Sequence, residues 1–192
     1  MAKIRVGVAI CGSFCTLHRT INSVNELLNI GYDVIPIISF NVKNLDTRFY
    51  RASEFRNEIE GLTQHSVIDS IEGAEPIGPK NICDIMVVLP CTGNTLAKLA
   101  NGITDTPTTM AVKSHLRNNK PVLIALATND GLGASYGNIA KLTNTKNYYF
   151  VPYTQDNADA KPKSLVYREE LVLPCIELAL DGKSLPPLIP KV

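Results

Sequence analysis

Four short runs are almost wholly apolar and rich in β-branched residues: 4–10 (IRVGVAI), 33–39 (DVIPIIS), 84–89 (DIMVVL) and 121–127 (PVLIALA). After each run the chain turns and takes up a stretch compatible with a helix. Strands that are apolar on both sides must be covered on both sides, which is the condition of a parallel sheet held between two helix layers. The predicted fold is therefore α/β, a three-layer, mostly parallel sheet with helices on both faces.

Local signals fill in the elements. Leu17, Ile21, Val24 and Leu28 recur at intervals of a helical face, and Gly31 stands where that helix should stop. Pro36 removes one ladder donor from the second run, so that strand belongs at an edge or carries a bulge. A helix is expected over 47–61, another where Leu96, Leu99 and Ile103 recur, and another from Thr106-Pro107 towards Leu116. Residues 62–81 show only a short element and a proline-glycine turn. A glycine-rich loop is expected over 128–137, a short helix at 139–142, a strand at 148–151 and a last helix at 171–180, stopped by Gly182. At 192 residues the chain is read as a single domain, 1–192, whose proline-rich tail 183–192 is extended.

Composition excludes several partners. Nineteen Lys and Arg against eighteen Asp and Glu leave a net charge of +1, too little field to hold nucleic acid. The longest apolar run, 82–89, is short of a bilayer and broken by Asp84, and no signal-peptide order opens the chain, so a cytoplasmic protein with no membrane contact is expected. Five cysteines and three scattered histidines, His18, His65 and His115, make no zinc set, and no metal is expected.

Ligands of such sheets sit beyond the carboxyl ends of the strands. The turns there are Gly12-Ser13, Ser39 to Asn41, Pro90 to Thr95 and Ala127 to Gly133. Gly12-Ser13 ahead of a helix reads either as an anion site or as a plain N-cap. Thr92, Gly93, Asn94 and Thr95 offer donors and a close approach, and also read as a capped helix start. Neither a GxGxxG fingerprint nor a GxxxxGK[ST] loop is present.

Taken in order, Gly12-Ser13, the run from Pro90 (PCTGNTLAKLANGITD, ending at Asp105), Lys120-Pro121-Val122 and Ala127-Thr128-Asn129 resemble the flavoprotein family of homo-oligomeric FMN-containing cysteine decarboxylases. That resemblance implies a Rossmann-like, flavodoxin-like fold and bound FMN. It carries the cofactor site onto Gly12, Ser13, Ser39, Pro90, Thr92, Gly93, Asn94, Thr95 and Asn129. With no Lys or Arg in these turns, binding would rest on N–H and hydroxyl donors. It also implies self-association, as a trimer or a multiple of trimers, for which the nearly uncharged stretch 104–112 is a candidate contact.

The departures from the family pattern bear on the reaction. Counting back from Pro90 to where family decarboxylases carry a catalytic histidine reaches Pro76, and the nearest histidine, His65, lies eleven residues earlier. Leu126 and Thr128 also replace a proline and a methionine of the later family motif. The stretch Ala74 to Lys80, with the Cys91-Thr92-Gly93 variant, resembles a branch found in spore-forming bacteria. That branch is implied to act in the mother-cell cytoplasm together with a second, NADP-carrying protein, oxidising a dihydro precursor to pyridine-2,6-dicarboxylate. Arg48, Arg51 and Lys80, with Arg56, are candidates for the two carboxylates, or else a solvated helix face. Cys91, expected at a helix start that would lower its pKa, is a candidate nucleophile or acid, or else a packed thiol. A stand-alone FMN decarboxylase and a non-catalytic assembly protein with a vestigial pocket are the alternatives.

Overall fold

The computed structural model describes residues 3–189. Strand β1 (Arg5–Ile10) leads through a single 3-10 turn at Phe14–Thr16 into helix α1 (Leu17–Asn29), and β2 (Asp33–Ile38) follows. Gly31 ends α1 at φ 88°, a left-handed conformation that suits glycine. Next come α2 (Phe40–Asn44), α3 (Ala52–Thr63), α4 (Ile71–Ala74) and β3 (Ile85–Cys91). Helices α5 (Gly93–Ala100) and α6 (Pro107–Leu116) return the chain to β4 (Val122–Thr128), and α7 (Tyr136–Thr143) leads to β5 (Tyr148–Phe150). A hairpin of β6 (Tyr153–Gln155) and β7 (Leu165–Tyr167) precedes α8 (Val172–Leu180).

The sheet runs β2-β1-β3-β4, all parallel. The far edge of β4 is divided: Val122–Ile124 pair in parallel with β5, while Ala127 and Thr128 pair antiparallel with β7. Alternation along β1 decides the two cores. Val6, Val8 and Ile10 pack with α1, α3 and α8, whereas Ala9 and Cys11 pack with α5, α6 and α7. Gly7 belongs to the second face, where an added Cβ would stand 2.7 Å from Met86 Cε and 2.9 Å from Cys83 Sγ, so the methionine occupies the room a side chain would need. Among the described residues no helix is long and apolar enough to cross a membrane.

Pro36 is on the outer strand, as its missing donor requires. Its carbonyl accepts from Ile68 N at 2.9 Å and Ile38 N donates to Ile68 O at 2.9 Å, so the absent N–H faces the edge rather than β1. Residue 68, in a stretch whose sequence shows only a short element, covers that edge. Thr106 and Thr109 form a reciprocal capping box in front of Pro107, which explains the sharp start of α6.

Four expectations are corrected. Helix α3 begins at Ala52 and not at 47, because side chains capture the preceding backbone: Asp46 Oδ1 accepts from Ala52 N at 2.9 Å, and Thr47 Oγ1 from Phe49 N and Tyr50 N. Strand β3 runs on to Cys91, and α5 spans 93–100, leaving Ile103 outside it and exposed. The β6–β7 hairpin has no counterpart in the sequence reading, since strands of three residues carry too little alternation to read. Finally, Pro107, Thr108, Thr109, Ala111 and Val112 are buried in the chain's own core, so the stretch 104–112 does not present an apolar face to a neighbour. Residues 183–189 carry neither helix nor strand, and 190–192 of the tail lie outside the described residues.

Candidate functional site

Helix α1 leaves β1 on one side of the sheet, and α5 leaves β3 on the other. Between two neighbouring parallel strands whose connections diverge in this way, a crevice opens at the carboxyl ends. Here it is a cavity of about 700 Å³, in the size range of small-molecule sites. The turn after β1 contributes Gly12 and Ser13, the turn after β3 contributes Thr92 and Gly93, and the turn after β4 contributes Thr128, Asn129 and Asp130.

Ser13 does not cap the element that follows it. Its backbone closes the turn, with N donating to Cys11 O at 2.8 Å and O accepting from Thr16 N at 2.9 Å, while its hydroxyl makes no capping bond. The hydroxyl is thereby left for a ligand. Thr92 lines the cavity and is also the N-cap of α5, its Oγ1 accepting from Thr95 N at 3.3 Å and donating to Thr95 Oγ1 at 3.1 Å. Asn129 lines the rim and is exposed.

Other residues expected at the cofactor stand behind or beside the cavity. Ser39 is buried and caps α2 through Val42 N at 3.5 Å. Pro90 is buried within β3, and Thr95 is buried beneath the Thr92 cap. Asn94, second residue of α5, is exposed and does not line the cavity.

Around Gly93 the fit is tight. An added Cβ would stand 2.7 Å from Thr128 Oγ1, 2.7 Å from Ser135 Oγ and 2.9 Å from Asp130 Oδ1. Those three side chains are a unit: Thr128 and Ser135 both donate to Asp130 Oδ1, Ser135 at 2.8 Å. The two hydroxyls hold the Asp130 carboxyl below its ordinary pKa, so a fixed negative charge lies on the cavity wall.

The cavity is more cationic than its turns. Arg19 of α1, Arg48 of the loop ahead of α3, and Lys161 between β6 and β7 all line it. Arg19 is one of many polar positions on a helix, and Lys161 follows no periodic pattern, so neither is legible as a site residue from sequence. Among the carboxylate candidates only Arg48 reaches the cavity. Arg51 is the N-cap of α3, 4.0 Å from Glu54, so it shares no helical face with Arg48. Arg56 is held by Asp69 at 2.5 Å and Glu60 at 3.3 Å, and Lys80 is exposed past the 3-10 turn at Glu75–Ile77, away from the cavity.

Cys91 does not meet the expectation of a lowered pKa. As the last residue of β3 it is fully buried in the second core, and burial, with Cys11 nearby, pushes its thiol well up. His65 bonds Asp33 Oδ1 at 2.7 Å, at the amino end of β2 and so at the other end of the sheet. Among the described residues no histidine lines the cavity, and Pro76 sits in a 3-10 turn.

Comparison with known proteins agrees with this geometry. The model of the Flavoprotein family matches residues 1–166. The B subunit of dipicolinate synthase from Bacillus subtilis is 44% identical over 185 residues, covering 96% of this chain and 92% of that protein. A crystal structure of the corresponding B subunit from Bacillus halodurans superposes with a TM-score of 0.90 at 42% identity, covering 99% of this chain and 97% of the other. An FMN-dependent cysteine decarboxylase, SpaF, shares the fold alone, with a TM-score of 0.71 at 23% identity over 94% of this chain and 97% of its own. The sheet order, the crevice between β1 and β3 and the family match over most of the chain converge: this protein belongs to the Flavoprotein family.

Proposed function

We propose that this chain is the B subunit of a dipicolinate synthase and that it binds FMN in the cavity between β1 and β3. It would work with the A subunit of that enzyme, the carrier of NADP, in oxidising a dihydrodipicolinate to pyridine-2,6-dicarboxylate. The observation that carries the flavin reading is the cavity itself. About 700 Å³ open at the switch point, with the Ser13 hydroxyl uncommitted and the Gly12, Ser13 and Thr92 turns facing it. These residues fit a phosphate bound without a dedicated lysine, and Asn129 offers an amide at the rim for the ring system. The similarity to dipicolinate synthase B subunits over nearly the full length of both chains supports the choice of reaction.

FMN, when bound, supplies an acceptor for two electrons and a proton. The chain's own residues then have defined tasks. Gly12, Ser13 and Thr92 hold the phosphate, the Thr128–Asp130–Ser135 unit fixes the wall against Gly93, and Arg19 and Arg48 attract an anionic substrate. Among the described residues no histidine lines the cavity, which disfavours the family's decarboxylation.

Titration of FMN into the purified chain, followed by calorimetry and flavin absorbance, tests the cofactor. Mixing the chain with the NADP-carrying A subunit and a dihydrodipicolinate source tests the reaction. An absence of FMN binding, with the chain still raising the activity of its partner, would favour an assembly protein with a vestigial pocket. Self-association as a trimer or a multiple of it belongs to the same reading and is measured by light scattering.

A further inference from the structure

The cavity holds more positive charge than it neutralises. Lys161 Nζ is matched by Asp156 Oδ2 at 2.7 Å, and Asp130 is engaged by two hydroxyls. Among the described residues Arg19 comes no closer to a carboxylate than 3.8 Å, from Nε to Glu169 Oε2, and Glu169 already accepts from Asn22 at 3.0 Å through its other oxygen. Arg48 has no carboxylate within ion-pair distance among the described residues; its guanidinium lies 4.8 Å from the centre of the Phe49 ring. The ring limits where the Arg48 fork can point, which reduces the entropy lost when it binds an anion.

Two planar forks thus reach one cavity from separate segments, α1 and the loop ahead of α3. A guanidinium pairs with a carboxylate edge to edge through two N–H bonds, and two such forks specify two carboxylates. A ligand with one carboxylate would leave one fork unmatched.

We propose that Arg19 and Arg48 form a two-point clamp for a planar ring bearing two carboxylates, with Phe49 as the positioning residue of Arg48. The clamp rests on reading this cavity as the reaction site, and it adds to that reading the residues that set substrate class.

Calorimetric titration with pyridine-2,6-dicarboxylate and with pyridine-2-carboxylate, on chain with and without saturating FMN, tests the clamp. The expected result is that the diacid binds at least about tenfold more tightly than the monoacid, the worth of one charge-assisted pair. Arg19→Gln and Arg48→Gln should each lower diacid affinity by about tenfold and abolish that discrimination. Arg51→Gln should change neither. Phe49→Leu should weaken the diacid by a smaller factor, and Phe49→Tyr, which keeps a ring under the guanidinium, should restore it. Equal affinity for the two acids, unchanged affinity in both arginine variants, or no saturable binding up to about 10 mM would overturn the clamp.

Thermal melts confirm that each variant is folded. FMN affinity, read on the same samples, separates the two proposals. A chain that binds the diacid through its arginines but takes up no FMN keeps the clamp and loses the flavin, and one that binds FMN but ignores the second carboxylate does the reverse.

Discussion

Gly93 and Asp130 stand so close that a Cβ built on the glycine would lie 2.9 Å from the carboxylate oxygen. The helix start after β3 and the turn after β4 are therefore fitted together with no room for a methyl group. Gly93→Ala should cost about 1–3 kcal/mol of stability, as overpacking of tight sites does, and weaken FMN as the two turns part. Ser135→Ala removes one of the two nearest atoms, so the double variant should recover part of the loss. Urea unfolding of the two single variants and the double variant measures the coupling.

Ser13 separates binding from stability. Because its hydroxyl makes no capping bond, Ser13→Ala should leave the unfolding free energy in urea within about 0.5 kcal/mol of wild type. The same change should weaken FMN by about 1 kcal/mol, and Ser13→Asp, which sets a negative charge against the phosphate, by more. Parallel loss of stability and affinity in Ser13→Ala would contradict this assignment.

Acid should unfold the protein through two successive groups. Burial lowers the His115 pKa from 6.5 to about 4, its Nε2–H donating to Pro121 O at 3.1 Å. The unfolded chain protonates this imidazole first, so stability falls as pH drops from 6.5 towards 4. Asp84 acts below that window. Hydrogen bonds from Arg5 and Lys120 overcome its partial burial and hold its carboxyl well below the ordinary carboxylate range, so its contribution is present above about pH 4 and is lost on further acidification. Asp84→Asn should cost about 1–2 kcal/mol at pH 7 and remove the Asp84 contribution below about pH 4. The upper window, set mainly by burial of His115, persists and reaches somewhat lower pH, because the Asp84 charge raises the His115 pKa. Urea midpoints at several pH values check both windows, and the His115 ring resonance should show half-titration near 4.

Thiol chemistry should be confined to one residue. Cys15 is exposed, while Cys11, Cys83, Cys91 and Cys175 are buried, with burial pushing Cys83 and Cys175 up to about 12. An aromatic disulfide reagent should label Cys15 rapidly in the native protein and the other four only on unfolding. Cys91→Ala should retain both FMN binding and turnover with the A subunit, whereas loss of a nucleophile would abolish turnover.

The legible parts of the molecule are those in which one residue type satisfies one requirement. Val6, Val8 and Ile10 against Ala9 and Cys11 read as a strand covered on both sides, and Pro36 reads as an edge because only there is its missing N–H harmless. The turns after β1, β3 and β4 are legible as the cavity floor because the strand ends fix where a ligand can sit. The arginines are less so. Whether Arg48 or Arg51 faces the cavity depends on where α3 begins, and Asp46 and Thr47 settle that through bonds to backbone that no periodicity records. Cys91 departs from its sequence reading for a related reason. A strand two residues longer turns its side chain into the core instead of leaving it at a helix start.

The divided edge of β4 has a mechanical consequence. Because Thr128 pairs with Leu165 and also accepts from Ser164 Oγ at 3.4 Å, and because Leu132 N donates to Lys163 O at 3.0 Å, the hairpin arm is tied to the same strand end that presents Asn129. The floor and that wall of the cavity move as one body. Between the tied ends, residues 156–162 form a span whose length and charge can change without shifting any register in the sheet, so the chemistry of the rim can vary independently of the fold beneath it.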